Sequence, residues 1–381
     1  MQTSHRPDSE VVKKARSSGQ AWLSTPGWDT VWILSPAFVS AGCVLLFRQQ
    51  MGESQNVPLW VWVCFILLID VAHVYATLFR TYLDPQAFKK NKTILLAIPA
   101  IAWIGGSLLY SLDGLFFWRG LAYLAVFHFI RQQFGFMVLY SRKEPASLKR
   151  FQWLDCAAIY MATIYPILFW HTHLRNFSWF VAGDFFDPAP VLLSQLGLTA
   201  YVLVAVAYGI KEIVLAKQGL INVPKNLLLI GTALSWWVGI ITVNSDMAFT
   251  ITNVVSHGVP YMALIWLYHG KKARQDARQK APDKLMAESF WSSGWKKLLI
   301  SNAFIFFAFL GLLAYIEEGF WDGFVWREHL ALFAPFAYLP QIGDGAFLAL
   351  LIPFLALPQS THYLLDGFIW RVRERNNIWS A

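Results

Sequence analysis

Apolar runs of 18 to 26 residues recur along nearly the whole chain, each closed by a short polar or basic stretch. About 20 apolar residues are enough to cross the hydrocarbon layer of a bilayer as a helix. The pattern predicts ten such helices, at 30–47, 58–79, 93–112, 115–140, 152–170, 190–211, 226–243, 247–268, 298–316 and 345–370. Between the last two, the stretch WREHLALFAPFAYLP predicts a short interfacial or re-entrant segment. The expected fold class is therefore all-α, a polytopic transmembrane helix bundle over 28–370. A basic arm (1–27) precedes it, a tail (371–381) follows, and a basic loop (269–297) interrupts it.

Composition points the same way. Of the 381 residues 56% are hydrophobic and only 14% charged, against about 25% charged in soluble domains. The charge distribution adds an orientation. Twenty-six of the 31 lysines and arginines fall on one set of alternate loops, and only Arg48, Arg175 and Arg327 on the other. A bias of this kind predicts that both termini are cytosolic, in the cytoplasmic membrane. The net charge of +8 then reports topology and contact with anionic membrane lipids, and nucleic acid is not needed to explain it. No apolar segment with a small-residue cleavage site follows the arm directly, which reads as a flexible arm rather than a signal peptide. Cys43, Cys64 and Cys156 have no metal-ligand spacing and suggest no disulfide framework. Asp113 and Asp155 sit near span ends and are expected to face headgroups, and most of the 19 tryptophans are expected in the interfacial belts.

Four of the nine histidines break the apolar pattern from inside. His73 lies in LLIDVAHVYATLF, His128 in YLAVFHFIRQQFGF, His257 in TNVVSHGVPYMALIW and His362 in QSTHYLLDGFIW. All four occupy even-numbered spans. Counted back from the cytosolic ends at about 1.5 Å per residue, they fall in one layer, roughly 10–18 Å from the inner boundary. Each has polar company. Asp70 stands at i−3 from His73 and Asp366 at i+4 from His362, Arg131 and Gln132 follow His128 by three and four, and Asn253 and Tyr261 flank His257 by four. Pro260 and Pro358 should free the carbonyls of Ser256 and Phe354.

Intramembrane ionisable residues are costly and mark function by default, although any one such histidine serves as readily as a structural hydrogen bonder between helices. Four at one depth suggest one metal, held by His73, His128, His257 and His362. Neutral imidazole suits iron, copper, zinc and nickel. Iron is the leading choice, copper or zinc next, with haem behind them. Asp70 and Asp366 are candidates to orient ligands through their second ring nitrogens, each toward its own neighbour or across the bundle. Arg131 and Tyr261 are candidates to steer dioxygen or a lipid-soluble substrate, though for Arg131 structural pairing is the plainer role. The same groups would also serve a proton-coupled transporter. The clustered histidine boxes of acyl desaturases, aspartate-rich prenyl-diphosphate motifs and phosphate-binding glycine loops are absent.

The motifs HYLLD, FHFIRQQFGF and SHGVPY resemble those of the bacterial and archaeal β-carotene 15,15′-dioxygenases of the bacteriorhodopsin-related protein family. The resemblance implies one iron held by transmembrane histidines and oxidative cleavage of a lipid-soluble substrate with dioxygen. It covers short motifs in four spans. The chain departs from the family pattern in its larger span count and in Tyr261, which stands four residues after His257 where the family carries a second histidine. Shared chemistry is implied rather than a shared substrate.

Overall fold

The computed structural model describes residues 19–53, 57–173, 179–186, 189–279, 299 and 302–369. Most of the basic arm, the larger part of the basic loop and the tail with Arg371, Arg373 and Arg375 lie outside the described residues. Among those described there is helix and no strand. In chain order the longer helices are α1 (Pro26–Leu46), α2 (Leu59–Arg80), α3 (Pro85–Leu112), α4 (Gly114–Ser141), α5 (Gln152–Thr172), α6 (Val191–Lys217), α7 (Val223–Trp236, continuing to Thr242), α8 (246–279), α9 (Ala303–Trp326), α10 (Gly345–Leu355) and α11 (Leu357–Ile369). The starts are written in the sequence. Asp84, Asp113, Asn222, Asn302 and Asp344 each cap a first turn with a side-chain oxygen, and Pro26, Pro85 and Pro224 occupy first-turn positions where a missing N–H costs nothing.

By length and composition seven of these helices can cross a membrane, or eight if α10 and α11, bent by 45° from one another, form one span. Pro358 causes that bend, because it has no N–H for the Phe354 carbonyl. Helices α4 and α8 are less apolar than those seven for an informative reason. They carry His128, Arg131, Gln132 and Gln133, and Asn253, Ser256 and His257, most of them buried. Their polarity is turned inward. By contrast, α3 and α6 expose Leu96, Ile101, Ile104 and Leu108, and Leu193, Leu196, Leu203 and Ile210. These rows leave the rim of the bundle apolar, as a lipid-facing surface requires. The segment predicted to be interfacial lies across one bundle end as a loop with a short 3₁₀ turn (Ala334–Phe336). Its Phe336 sits so close to α9 that a Cβ at Gly319 would lie 2.4 Å from the ring.

At the other end of α4 the structure corrects two expectations. Asp155 does not face headgroups, and Lys211 and Lys225 are not simple loop charges. All three are buried, in a network joining α5, α6 and α7. Lys211 is paired with Asp155 and, at 2.7 Å, with Glu212. Lys225 reaches Glu144 at 2.7 Å and Asp155 at 3.2 Å. A second pair pins α8 to the start of α3. Lys272 Nζ donates to Asp84 Oδ2 at 2.5 Å, while Asp84 Oδ1 accepts from the backbone of Gln86 and Ala87. Burial alone would raise the Asp84 carboxyl, but the hydrogen bond and charge of Lys272 outweigh it and hold the group below its ordinary value. A lowered folded pKa stabilises above the unfolded value near 4, and that contribution is lost as pH falls through the folded value. We therefore expect Asp84→Asn, which keeps the cap, to lower the unfolding temperature at pH 7 by the equivalent of about 1 kcal/mol at most. The gap to the native chain should close in thermal scans toward pH 3; a pH-independent gap would assign the effect to something other than the pair.

Candidate metal centre

The four histidines arrive from four helices: His73 from α2, His128 from α4, His257 from α8 and His362 from α11. All four are buried, and one ring nitrogen from each lies within 4.8 Å of the others. His257 Nε2 is 3.0 Å from His73 Nε2 and 3.2 Å from His128 Nε2. The His362 ring lies edge-on to His73 and His128, with centroids 4.9 and 4.4 Å away, and its Nε2 has no hydrogen-bond partner.

The outer nitrogens show which atoms face inward. His73 Nδ1 lies 3.2 Å from the Ile69 carbonyl, an acceptor only, and 3.8 Å from Asp70 Oδ1. His128 Nδ1 lies 3.7 Å from Asp366 Oδ2, and His362 Nδ1 is 2.6 Å from Thr77 Oγ1. A proton on Nδ1 leaves a bare lone pair on Nε2. The lone pair of His73 Nε2 thus confronts His257 Nε2, which can offer one proton or one lone pair and has two ring nitrogens, those of His73 and His128, to satisfy. Neutral rings alone leave this arrangement unbalanced; a cation at the common point balances it. With metal–nitrogen bonds of about 2.0–2.1 Å, neighbouring ligands stand about 3 Å apart and opposed ones about 4 Å. The two contacts of His257 Nε2 match neighbouring ligands, and the outer limit of 4.8 Å for the set means that binding would draw the widest pair inward by several tenths of an ångström.

Local structure explains the convergence. α2 runs in π-helical form from Trp62 to Val71, and α8 from Thr250 to Val254, each ending just before its histidine. The wider turn re-aims the side chain that follows it, a device frequent at functional sites. Gly258 lets α8 close on α2, since a Cβ there would lie 2.7 Å from Ile69 Cγ2 and 3.1 Å from the Ile69 carbonyl. Gly258→Ala should therefore push the helices apart at the carbonyl that holds His73. We expect a loss of about 1–3 kcal/mol in stability, with weaker metal retention by elemental analysis. Unchanged stability and retention would remove this role. The expected freeing of the Ser256 carbonyl by Pro260 is met by Gln133, whose Nε2 lies 3.5 Å from it, and Gln132 Nε2 donates to the His257 carbonyl at 2.8 Å. Phe129 stacks on the His257 ring at 3.9 Å.

The other predicted residues divide. Asp366 acts across the bundle: it faces His128 rather than its own neighbour His362, and accepts a 2.6 Å hydrogen bond from the Tyr261 hydroxyl. Tyr261 also meets Thr77 at 2.8 Å, so Tyr261, Thr77 and Asp366 link His362 to His128. Asp70 is beside His73 and partly open to a cavity. Arg131 is not brought to the cluster. It donates to the Tyr160 hydroxyl at 2.5 Å and lies over the Phe134 ring, on the α5 side of α4. Thr77 was missed by sequence reasoning. Its one signal was position i+4 from His73, and a lone threonine in a helix is unremarkable.

No family of proteins, no curated protein and no solved structure matches this chain.

Proposed function

We propose that the chain is a metal-dependent oxidoreductase of the cytoplasmic membrane, with one iron bound by His73, His128, His257 and His362. The observation that carries this reading is the set of four buried ring nitrogens within 4.8 Å of one another, one of them, His362 Nε2, without any partner. An all-nitrogen, neutral donor set suits iron, copper or zinc. Iron is favoured because four imidazoles leave coordination positions open, and bound iron would supply dioxygen chemistry. Close spacing of all four nitrogens favours a bare ion over haem, whose ring would need the equatorial space that two of the imidazoles fill.

A lipid-soluble substrate is supported by a small cavity of about 200 Å³ bounded by α2, α3 and α11. Val74, Leu78, Pro99 and Leu357 give it apolar walls, and His362 stands at its edge. Of the four histidines only this one lines a cavity described here. In this scheme Asp366 and Asp70 orient His128 and His73, and Tyr261 holds Asp366. Ten spans with both termini cytosolic complete the proposal, α4 and α8 crossing inside a sheath of more apolar helices. The motifs resembling carotenoid-cleaving dioxygenases agree with this chemistry.

Elemental analysis with a visible spectrum of the purified protein tests it. We expect about one iron per chain and no Soret band. Absence of stoichiometric metal, together with pH-dependent flux in liposomes, would replace the enzyme by a proton-coupled carrier.

A further inference from the structure

A second cavity, of about 310 Å³, lies at the end of the bundle where α2, α4, α9 and α11 meet the loops after α5 and α9. Sites for small molecules begin at about this size. Four carboxylates line it: Asp70, Glu318, Asp322 and Glu328. No lysine or arginine does. Glu328 is exposed and marks the mouth, whereas Asp322 is buried at 4% exposure. Asp322 Oδ1 accepts the His329 backbone N–H at 2.7 Å, and its Oδ2 is buried without a partner. Gln359 turns its Nε2 to Glu317 and leaves Oε1 likewise unpartnered. A buried carboxylate oxygen without a donor is a costly omission, and two acceptors of one cavity share it.

The walls are aromatic. Trp321 and Trp326 stack at 5.7 Å and 15°, Trp118 lies 6.0 and 5.9 Å from them, and Phe180 stacks on Trp118 at 5.6 Å. Across the cavity Trp62 stacks on His329 at 4.3 Å. Ring faces attract cations, and most strongly where water is excluded. A hydrated metal ion would gain little from indole walls, and no three of the carboxylates lie close enough to share one ion, since the four histidines are the one group of three or more such ligands among the described residues. A neutral apolar molecule would leave Asp322 Oδ2 and Gln359 Oε1 unsatisfied.

We propose that this chamber binds a small organic cation, a protonated amine. Its N–H groups would donate to Asp322 Oδ2 and Gln359 Oε1, and its alkyl part would lie against Trp118, Trp321 and Trp326. The site is independent of the metal reading. The two are neighbours, however, because Asp70 lines the chamber and stands 3.8 Å from His73 Nδ1.

The test is calorimetric titration of the detergent-purified full chain with butylamine at neutral pH, beside butan-1-ol as the neutral isostere and potassium and magnesium chlorides as inorganic cations. We expect saturable binding of butylamine, at least tenfold weaker binding of butan-1-ol, and tenfold or greater loss with Asp322→Asn. If that variant does not fold, Glu318→Gln and Trp118→Leu carry the same expectation, with the unfolding temperature as the check on folding. Equal binding of the alcohol, preferential binding of magnesium or potassium, or no saturable binding of butylamine would each overturn the proposal. Displacement of butylamine by phosphatidylethanolamine in nanodiscs, and not by phosphatidylglycerol, would assign the amine to a lipid headgroup; no displacement would assign it to solution. Metal content measured on the same samples separates failure here from failure of the metal centre.

Discussion

If the four histidines hold the proposed metal, replacing His73 and His362 together by alanine is expected to abolish its binding. Carboxylates and other partners behind a ligand usually contribute about 10–100-fold to metal affinity, so removal of two of four direct ligands should exceed about 100-fold. Elemental analysis of native, double-variant and His171→Ala protein reads the result. His171 lies against Tyr123 at 2.7 Å, away from the cluster, and its loss should leave stoichiometry unchanged. Thr77→Val and Asp366→Asn should give intermediate losses, because the first removes the hydroxyl beside His362 and the second the negative charge that faces His128. Metal retained at native stoichiometry in the double variant would mean that the four rings are a polar core and nothing more.

The second large effect lies at the other end of α4. Lys225→Met is expected to cost about 3–5 kcal/mol, the usual penalty for leaving buried charge without its partner. Lys225 is almost wholly buried and faces Glu144, Asp155 and Glu212. Its loss would leave Asp155 and Glu212 to share Lys211 and Glu144 with the Asn222 amide in place of a cation. The measurement is the unfolding temperature of detergent-purified protein, or yield of folded protein if the variant does not survive extraction. Adding Glu144→Gln to Lys225→Met should recover part of the loss, since one stranded carboxylate disappears. Equal stability of Lys225→Met and the native chain would show that the network does not hold α5, α6 and α7 together. This end of the molecule is distinct from the histidine centre, so metal content per folded chain should not change.

Much of the centre was legible before any coordinates. Four interruptions of apolar helices at one depth are a one-dimensional signal, and they mark the same four histidines that converge in space. The partners were less legible. Helical spacing left Asp366 either to face His362 or to act across the bundle, and only the packing decided: it stands 3.7 Å from His128 Nδ1 and accepts from Tyr261 of α8. Arg131, three residues after His128, could have served the site or paired structurally, and it takes the second role with Tyr160. The ion network was misread for a related reason. Asp155, Lys211 and Lys225 sit at helix ends, where single charges meet water or headgroups, and only the packing of α5, α6 and α7 buries them on one another.

The order of apolar runs, the caps and prolines at their starts, and the layer at which the histidines sit were properties of the chain itself, because hydrophobic length, backbone hydrogen bonding and helical rise are local quantities. Which ring nitrogen faces which, which carboxylate stands behind which imidazole, and the existence of an acidic aromatic chamber at one bundle end were decided by helix rotation and close approach. Those depend on contacts such as Gly258 against Ile69, made between residues nearly two hundred positions apart, and no local pattern encodes them.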